Sequence, residues 1–145
     1  MRAWLAIPLL ALSPQANAVN PAQLLDPQDA FRLSVKAIDK RTAQVEFRIA
    51  PGYYLYRDRF RFETESGKTI ADAVLPTGKL KEDQFFGRQQ VYRDQVSITV
   101  PLTDADLARK QIRLKVVSQG CADVGVCYIP QEQWVTVKLG QGSSP

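Results

Sequence analysis

Period-two alternation runs through most of this chain. Phe31, Leu33, Val35 and Ala37 alternate with Arg32, Ser34 and Lys36, and after a polar turn at 39–42 the pattern resumes with Val45, Phe47 and Ile49 against Glu46 and Arg48. Apolar residues two apart lie on one face of a strand, so these two runs predict a hairpin of half-buried strands. Phe60 and Phe62 predict a further strand, and residues 70–75 another beyond the turn at 65–68. Residues 91–100 alternate again, with Val96, Ile98 and Val100 on one face. Thr103 to Asp106 predicts a helical turn, with Thr103 as N-cap and Asp106 as its partner. Residues 112–118 and 134–139 predict the last two strands. Seven or so short strands with turn signals between them predict an all-β protein, an immunoglobulin-like antiparallel sandwich.

Two stretches do not fit that pattern. In Tyr53-Tyr54-Leu55-Tyr56-Arg57 apolar rings follow one another without a polar partner. Such a run suits a core, and it equally suits a half-wet surface where each hydroxyl finds a partner. Residues 79–88 (KLKEDQFFGR) carry charge, then two adjacent phenylalanines, then glycine, with neither a strand nor a helix period. The two rings must pack on something, either the core or a site that they cover.

The first residues predict export. Met1-Arg2 is a minimal basic start, residues 3–12 are apolar apart from Pro8, and Ala16-Asn17-Ala18 has the small-x-small form of a cleavage site. This reads as a signal peptide over 1–18, cut after Ala18 and too short to span a bilayer. Residues 19–139 then form one domain, and 140–145 (GQGSSP) read as a linker or tail. The 145-residue chain has a formal charge of +4 with both signs interspersed, and no basic run interleaved with aromatics that would suggest nucleic acid. It contains no histidine. That removes Ser-His and Cys-His nucleophile pairs, so any chemistry must run without imidazole. Thiol–disulfide exchange can, because the thiolate is itself the nucleophile.

The only two cysteines, Cys121 and Cys127, enclose a short loop containing Gly125, just after the strand at 112–118. In an oxidising compartment they can pair. A bridge over so short a loop is worth roughly 2.4 kcal/mol on the chain-entropy model, against about 4.7 for a hundred-residue loop. It would be a poor staple for a domain of this size. Two cysteines and no histidine do not make a structural zinc site. Two readings of the pair stand at this point: a local loop clamp in an exported binding or chaperone module, and a working dithiol.

Three stretches taken together resemble the N-terminal periplasmic domain of the thiol:disulfide interchange protein DsbD: PGYYLYRDRFRF (51–62), EDQFFGRQQVYRD (82–94) and QGCADVGVCYIPQE (119–132). Their order and spacing match, and the resemblance covers essentially the whole mature chain. It implies an immunoglobulin-like sandwich with a cap loop over a redox-active pair. Cys127 would attack, or be attacked, in a mixed disulfide, and Cys121 would resolve it. Asp83 to Gly87 would form the cap loop, with Phe85 as the shield and Tyr54 and Tyr56 lining the site. The implied role is protein-disulfide reduction in the periplasm, without cofactor or metal. Electrons would come from the protein's own C-terminal thioredoxin-like domain and go to disulfide isomerases and cytochrome c maturation thioredoxins. Contact with the membrane would come only through a C-terminal domain that this chain lacks. Two positions depart from the family's Asp-Glu-Phe-Tyr-Gly cap: Gln84 replaces the second acid and Phe86 the tyrosine. A carboxylate near the sulfurs is therefore expected from Asp83, with Glu82 as the substitute for the second acid, and the Asp83 charge is expected to raise the thiol pKa.

Overall fold

Half-buried strands need a second layer to cover their apolar faces, and here the chain supplies it from its own C-terminal half. A computed structural model describes residues 20–139; the expected leader over 1–18 and tail over 140–145 lie outside them. A short helical turn α1 (Pro27–Ala30) leads into β1 (Phe31–Asp39), β2 (Thr42–Ile49), β3 (Tyr53–Tyr56) and β4 (Arg61–Thr64). Then come β5 (Lys79–Asp83), β6 (Gly87–Tyr92), β7 (Gln95–Pro101), the turn α2 (Asp104–Leu107) and β8 (Gln111–Ser118). The chain closes with β9 (Gly120–Ala122), β10 (Val126–Cys127) and β11 (Gln131–Lys138).

These strands form antiparallel sheets of order β1-β2-β7, β11-β8-β4 and β10-β9-β3-β6-β5. The expected first hairpin forms, with Phe31 opposite Ile49 and Val35 opposite Val45. Val45, Phe47, Ile98 and Val100 from one three-stranded sheet meet Phe62, Leu114, Val116 and Val137 from the other in a single core. Burying each of these side chains contributes about 1.5–3 kcal/mol, so this row of contacts sets the sandwich. The expected all-β, immunoglobulin-like sandwich is the architecture found.

Several elements differ from expectation. Residues 70–75 do not form a strand; only Val74 bridges to Thr99. A turn at 71–72 interrupts the run and Pro76 lacks the N–H needed to extend it. Residues 79–88, expected to lack regular structure, supply β5 and the start of β6, a hairpin running from Lys79 opposite Val91 to Asp83 opposite Gly87. Residues 91–100 break between β6 and β7 at Arg93-Asp94, where Asp94 takes a left-handed φ of 63°, a conformation that Asp tolerates better than most residues. The last strand begins at Gln131, three residues earlier than expected. The capping partner at α2 is as expected: the Asp106 carboxylate accepts the Thr103 backbone N–H at 2.9 Å and its hydroxyl at 2.6 Å.

The central strand of the five-stranded sheet settles the fate of the aromatic run. All four residues of β3 are buried, because period-two geometry divides them between two faces. Tyr53 and Leu55 enter the main core, while Tyr54 and Tyr56 join Val91 and Cys121 in a separate cluster on the opposite face, with Cys127 packed against it.

Candidate functional site

That second cluster is built on one row of backbone pairing. Cys121 on β9 stands opposite Cys127 on β10 and opposite Tyr54 on β3. Opposed residues in an antiparallel ladder project to the same face, so both sulfurs and the Tyr54 ring are gathered there. Cys121 and Cys127 form a disulfide. The hairpin joining them turns at Gly125, whose φ of 97° favours glycine. Gly120, one residue before Cys121, is required for another reason. A Cβ there would collide with the Tyr54 carbonyl oxygen and come within 2.5 Å of the Phe31 ring.

The two sulfurs are not equivalent. Cys121 is 0% exposed, whereas Cys127 is half-buried on an edge strand. The Tyr56 hydroxyl lies 3.0 Å from Cys121 Sγ and 3.7 Å from Cys127 Sγ. It donates to Asp83 Oδ2 at 2.8 Å, and the Tyr54 hydroxyl donates to Oδ1 at 2.7 Å. Burial pushes the Tyr54 phenol up to about 12, with the Asp83 carboxylate adding to it. Tyr56 is raised further by burial, then by its Tyr54 and Asp83 neighbours. Both hydroxyls therefore stay protonated and available as donors.

Asp83 also organises the turn between β5 and β6. Its Oδ2 also accepts the backbone N–H groups of Phe85 at 3.0 Å and Phe86 at 2.9 Å, and Gly87 completes the turn with a φ of 73°. Burial on its own would push the Asp83 carboxyl up. The hydrogen bonds from Tyr54, Tyr56, Phe86 and Phe85 outweigh it and hold the group below the usual carboxylate range. One carboxylate thus ties the cap turn to the two tyrosines and, through Tyr56, to the sulfurs. The Gln84 side chain reaches the other hairpin, its Nε2 3.2 Å from where a Cβ on Gly125 would stand.

Of the expected site residues, Tyr54, Tyr56, Asp83, Cys121 and Cys127 are brought into direct contact, and Phe85 and Gly87 fall in the cap turn. The ring that meets Tyr56 is that of Phe86, edge-on with centroids 5.1 Å apart. Phe86 is 37% exposed and Phe85 45%. Arg59, from the helical turn after β3, lies over Phe86 at 4.2 Å. Sequence reasoning did not single out Arg59, nor Arg93, whose guanidinium binds Asp123 inside the cysteine hairpin. The Arg57-Asp58-Arg59 stretch after the aromatic run was the available hint for Arg59. Among the described residues no cluster of three or more Cys, Asp or Glu could hold a metal ion, and no helix is long and apolar enough to cross a membrane.

An antiparallel sandwich with a disulfide beside two buried tyrosines and an aspartate defines a class of domain built around one cysteine pair. Within that class, the chain belongs to the family described as thiol:disulfide interchange protein DsbD, N-terminal, whose sequence model matches residues 21–139. It is 39% identical over 109 residues to thiol:disulfide interchange protein DsbD 2 of Pseudomonas aeruginosa, covering 75% of this chain and 17% of that protein. The chain spans about a fifth of the length of the curated relatives it matches. Among solved structures it is similar to the reduced DsbD N-terminal domain of Neisseria meningitidis, with 34% identity and a TM-score of 0.73, covering 83% of this chain and 94% of the other. It is also similar, at 33% identity and a TM-score of 0.64, to a chain from the complex between the DsbD and PilB N-terminal domains of the same organism, covering 79% and 87%.

Proposed function

We propose that Cys121 and Cys127 are an exchanging dithiol–disulfide pair, and that this domain acts as a protein-disulfide reductase in the periplasm. The observation that carries the reading is the asymmetry of the pair: Cys127 half-open on an edge strand, Cys121 sealed beneath Tyr56. A partner can reach the first sulfur and only the first sulfur can reach the second. In the reducing direction the Cys127 thiolate attacks one sulfur of a partner's disulfide. A mixed disulfide forms, and the partner's other sulfur leaves with the electron pair and takes up a proton. The Cys121 thiolate then attacks Cys127 Sγ, forming the internal disulfide and releasing the partner's second sulfur as a thiol. The partner gains two electrons and two protons, and the pair loses them. The reverse sequence reloads it.

The asymmetry also favours thioredoxin-like partners, which present one accessible sulfur. A DsbD relative has been solved with a PilB N-terminal domain, which supports a protein partner. We assign the supply of electrons to a C-terminal thioredoxin-like domain, and their delivery to disulfide isomerases and cytochrome c maturation thioredoxins. The leader over 1–18 would deliver residues 19–139 to the periplasm, and 140–145 would lead toward a membrane anchor. The cap from Asp83 to Gly87, with Phe85 and Phe86, would keep small thiols and oxidants from Cys127 until a partner displaces it.

The deciding experiment is the reduction potential of the pair in glutathione buffers. A value of roughly −180 to −270 mV is the range of exchange catalysts. A value below about −300 mV is that of a resistant structural bridge, and would leave an exported binding or chaperone module with a loop clamp as the reading.

A further inference from the structure

The two arms of the hairpin that carries the pair are held differently: β9 pairs with β3, whereas beyond β10 the chain is held through Tyr128, which packs on Phe31 and Tyr53 and takes a bond from Gln119 Nε2 on its carbonyl at 3.2 Å. β10 contributes two residues, and among the described residues no strand lies on its outer side. Beyond that ladder the loop is closed by the Gly125 N–H on the Ala122 carbonyl at 3.0 Å and the Tyr128 N–H on the Gly120 carbonyl at 3.0 Å. Asp123, Val124 and Gly125 are exposed. The tip of the hairpin, beyond the pairing of β9 with β3, is therefore its least held part.

Asp123 is the exception in that loop, because it is fixed at both ends. Its backbone N–H donates to the Gly52 carbonyl at 2.8 Å. Its carboxylate receives both arms of the Arg93 fork, from Nη2 at 2.8 Å and from Nη1 at 2.9 Å. Arg93 is in turn held against β3: Nη1 lies 3.4 Å from the Tyr53 carbonyl, and the guanidinium sits 5.1 Å from the Tyr54 ring centroid. The strand that presents Tyr54 and Tyr56 to the sulfurs is therefore the strand to which this ion pair fastens the hairpin. A bidentate guanidinium–carboxylate pair fixes orientation as well as distance, which a lysine cannot do.

We propose that Arg93, through Asp123, is a positioning residue that keeps the two reduced cysteines together so that Cys121 can resolve a mixed disulfide at Cys127. The proposal rests on the exchange reading above. In the oxidised protein the covalent bond already closes the hairpin, so the clamp forms at no further cost in chain entropy. In the dithiol the clamp must itself hold the hairpin closed and loses part of its energy to that ordering, so it favours the disulfide. It thereby raises the effective concentration of one thiol at the other and makes the pair a stronger reductant. The electrons and protons move as in the exchange already described, since Arg93 acts only on geometry.

The test is the equilibrium constant for oxidation by glutathione disulfide in the mature chain, compared among wild type, Arg93→Gln, Asp123→Asn and the double variant. Each single change should lower the constant about three- to tenfold, the upper figure corresponding to about 30 mV toward a weaker reductant. The double variant should fall no further than either single, because both remove one interaction. Arg93→Lys, which keeps the charge without the fork, should lie between. A purely structural role would lower the unfolding midpoints of the oxidised and reduced forms alike and leave the constant unmoved; that result in folded variants overturns the clamp, as do single effects that add in the double. Should Arg93→Gln not fold, Asp123→Asn decides, since it retains its backbone bond to Gly52. If instead the wild-type pair stays oxidised in every glutathione mixture, the exchange reading itself fails and takes the clamp's role with it.

Discussion

The Tyr56 hydroxyl stands 3.0 Å from Cys121 Sγ while its single proton points to Asp83 Oδ2, 2.8 Å away. A carboxylate is a stronger acceptor than a disulfide sulfur, so the phenolic oxygen turns its lone pairs toward the sulfur. When the pair is reduced, a Cys121 S–H can donate to that oxygen in series with Asp83. Such a chain favours the thiol over the thiolate, as does the burial of Cys121.

Asp83→Asn should therefore activate the buried thiol. Loss of the negative charge frees the Tyr56 hydroxyl to donate to sulfur, and the thiolate fraction at a given pH should rise about tenfold. The readout is ultraviolet absorbance of the thiolate in a Cys127→Ser background. Adding Tyr56→Phe should remove most of the gain. An unchanged titration in Asp83→Asn would show that the carboxylate does not act on the sulfur.

The cap should be fastened more by Phe86 than by Phe85. Phe86 has an edge-on contact with Tyr56 and a guanidinium over its ring, together worth about 1–2 kcal/mol. Phe86→Ala should speed reduction of the disulfide by a small thiol about five- to thirtyfold. Phe85→Ala should have the smaller effect. The reverse order would return the shielding role to Phe85, where the resemblance places it.

The elements that could be foreseen are those in which burial alternates along the strand. β1, β2 and β8 each present a row of apolar side chains to the core, and period two exposes it. The β5–β6 hairpin lacks that signal, because it is held by edge pairing and by Asp83 bonding to two backbone N–H groups. A charged, unpatterned stretch can still be a strand when its backbone has a partner. The converse holds at 70–75, where suitable side chains find only a single bridge. Around the sulfurs, Tyr54, Tyr56 and Asp83 were legible through motifs the family shares. Arg93 and Asp123 lie in two of the same stretches but were not, since an arginine and an aspartate 30 residues apart carry no sign in the sequence that they pair.

Gly120→Ala should be costly out of proportion to its size. The added methyl group meets the Tyr54 carbonyl and the Phe31 ring, and neither can move without disturbing β3 or the core. Overpacking of this kind costs about 1–3 kcal/mol, occasionally more. The shift in denaturation midpoint of the oxidised protein measures it. Gly52→Ala, where a Cβ meets nothing within 4 Å but φ is 83°, should cost about 1 kcal/mol. Equal losses at the two glycines would mean that the close approach at Gly120 relaxes freely.

Acid should loosen the cap, and the sign follows from Asp83. Its folded carboxyl is held below the ordinary range: burial opposes ionisation, but the bonds from Tyr54, Tyr56, Phe86 and Phe85 prevail. A depressed folded value means the ionised group stabilises the fold fully above the unfolded pKa of about 3.9. That contribution is lost as pH falls through the lower, folded value. The cap should thus be intact through neutral and mildly acidic solution and should weaken only below about pH 4. The Phe85 and Phe86 amide protons, which bond the carboxylate directly, should report this as a shared titration in proton NMR. Asp83→Asn should abolish it. A midpoint above about 4 would mean that burial outweighs the hydrogen bonds, and the cap would then begin to open in mildly acidic solution.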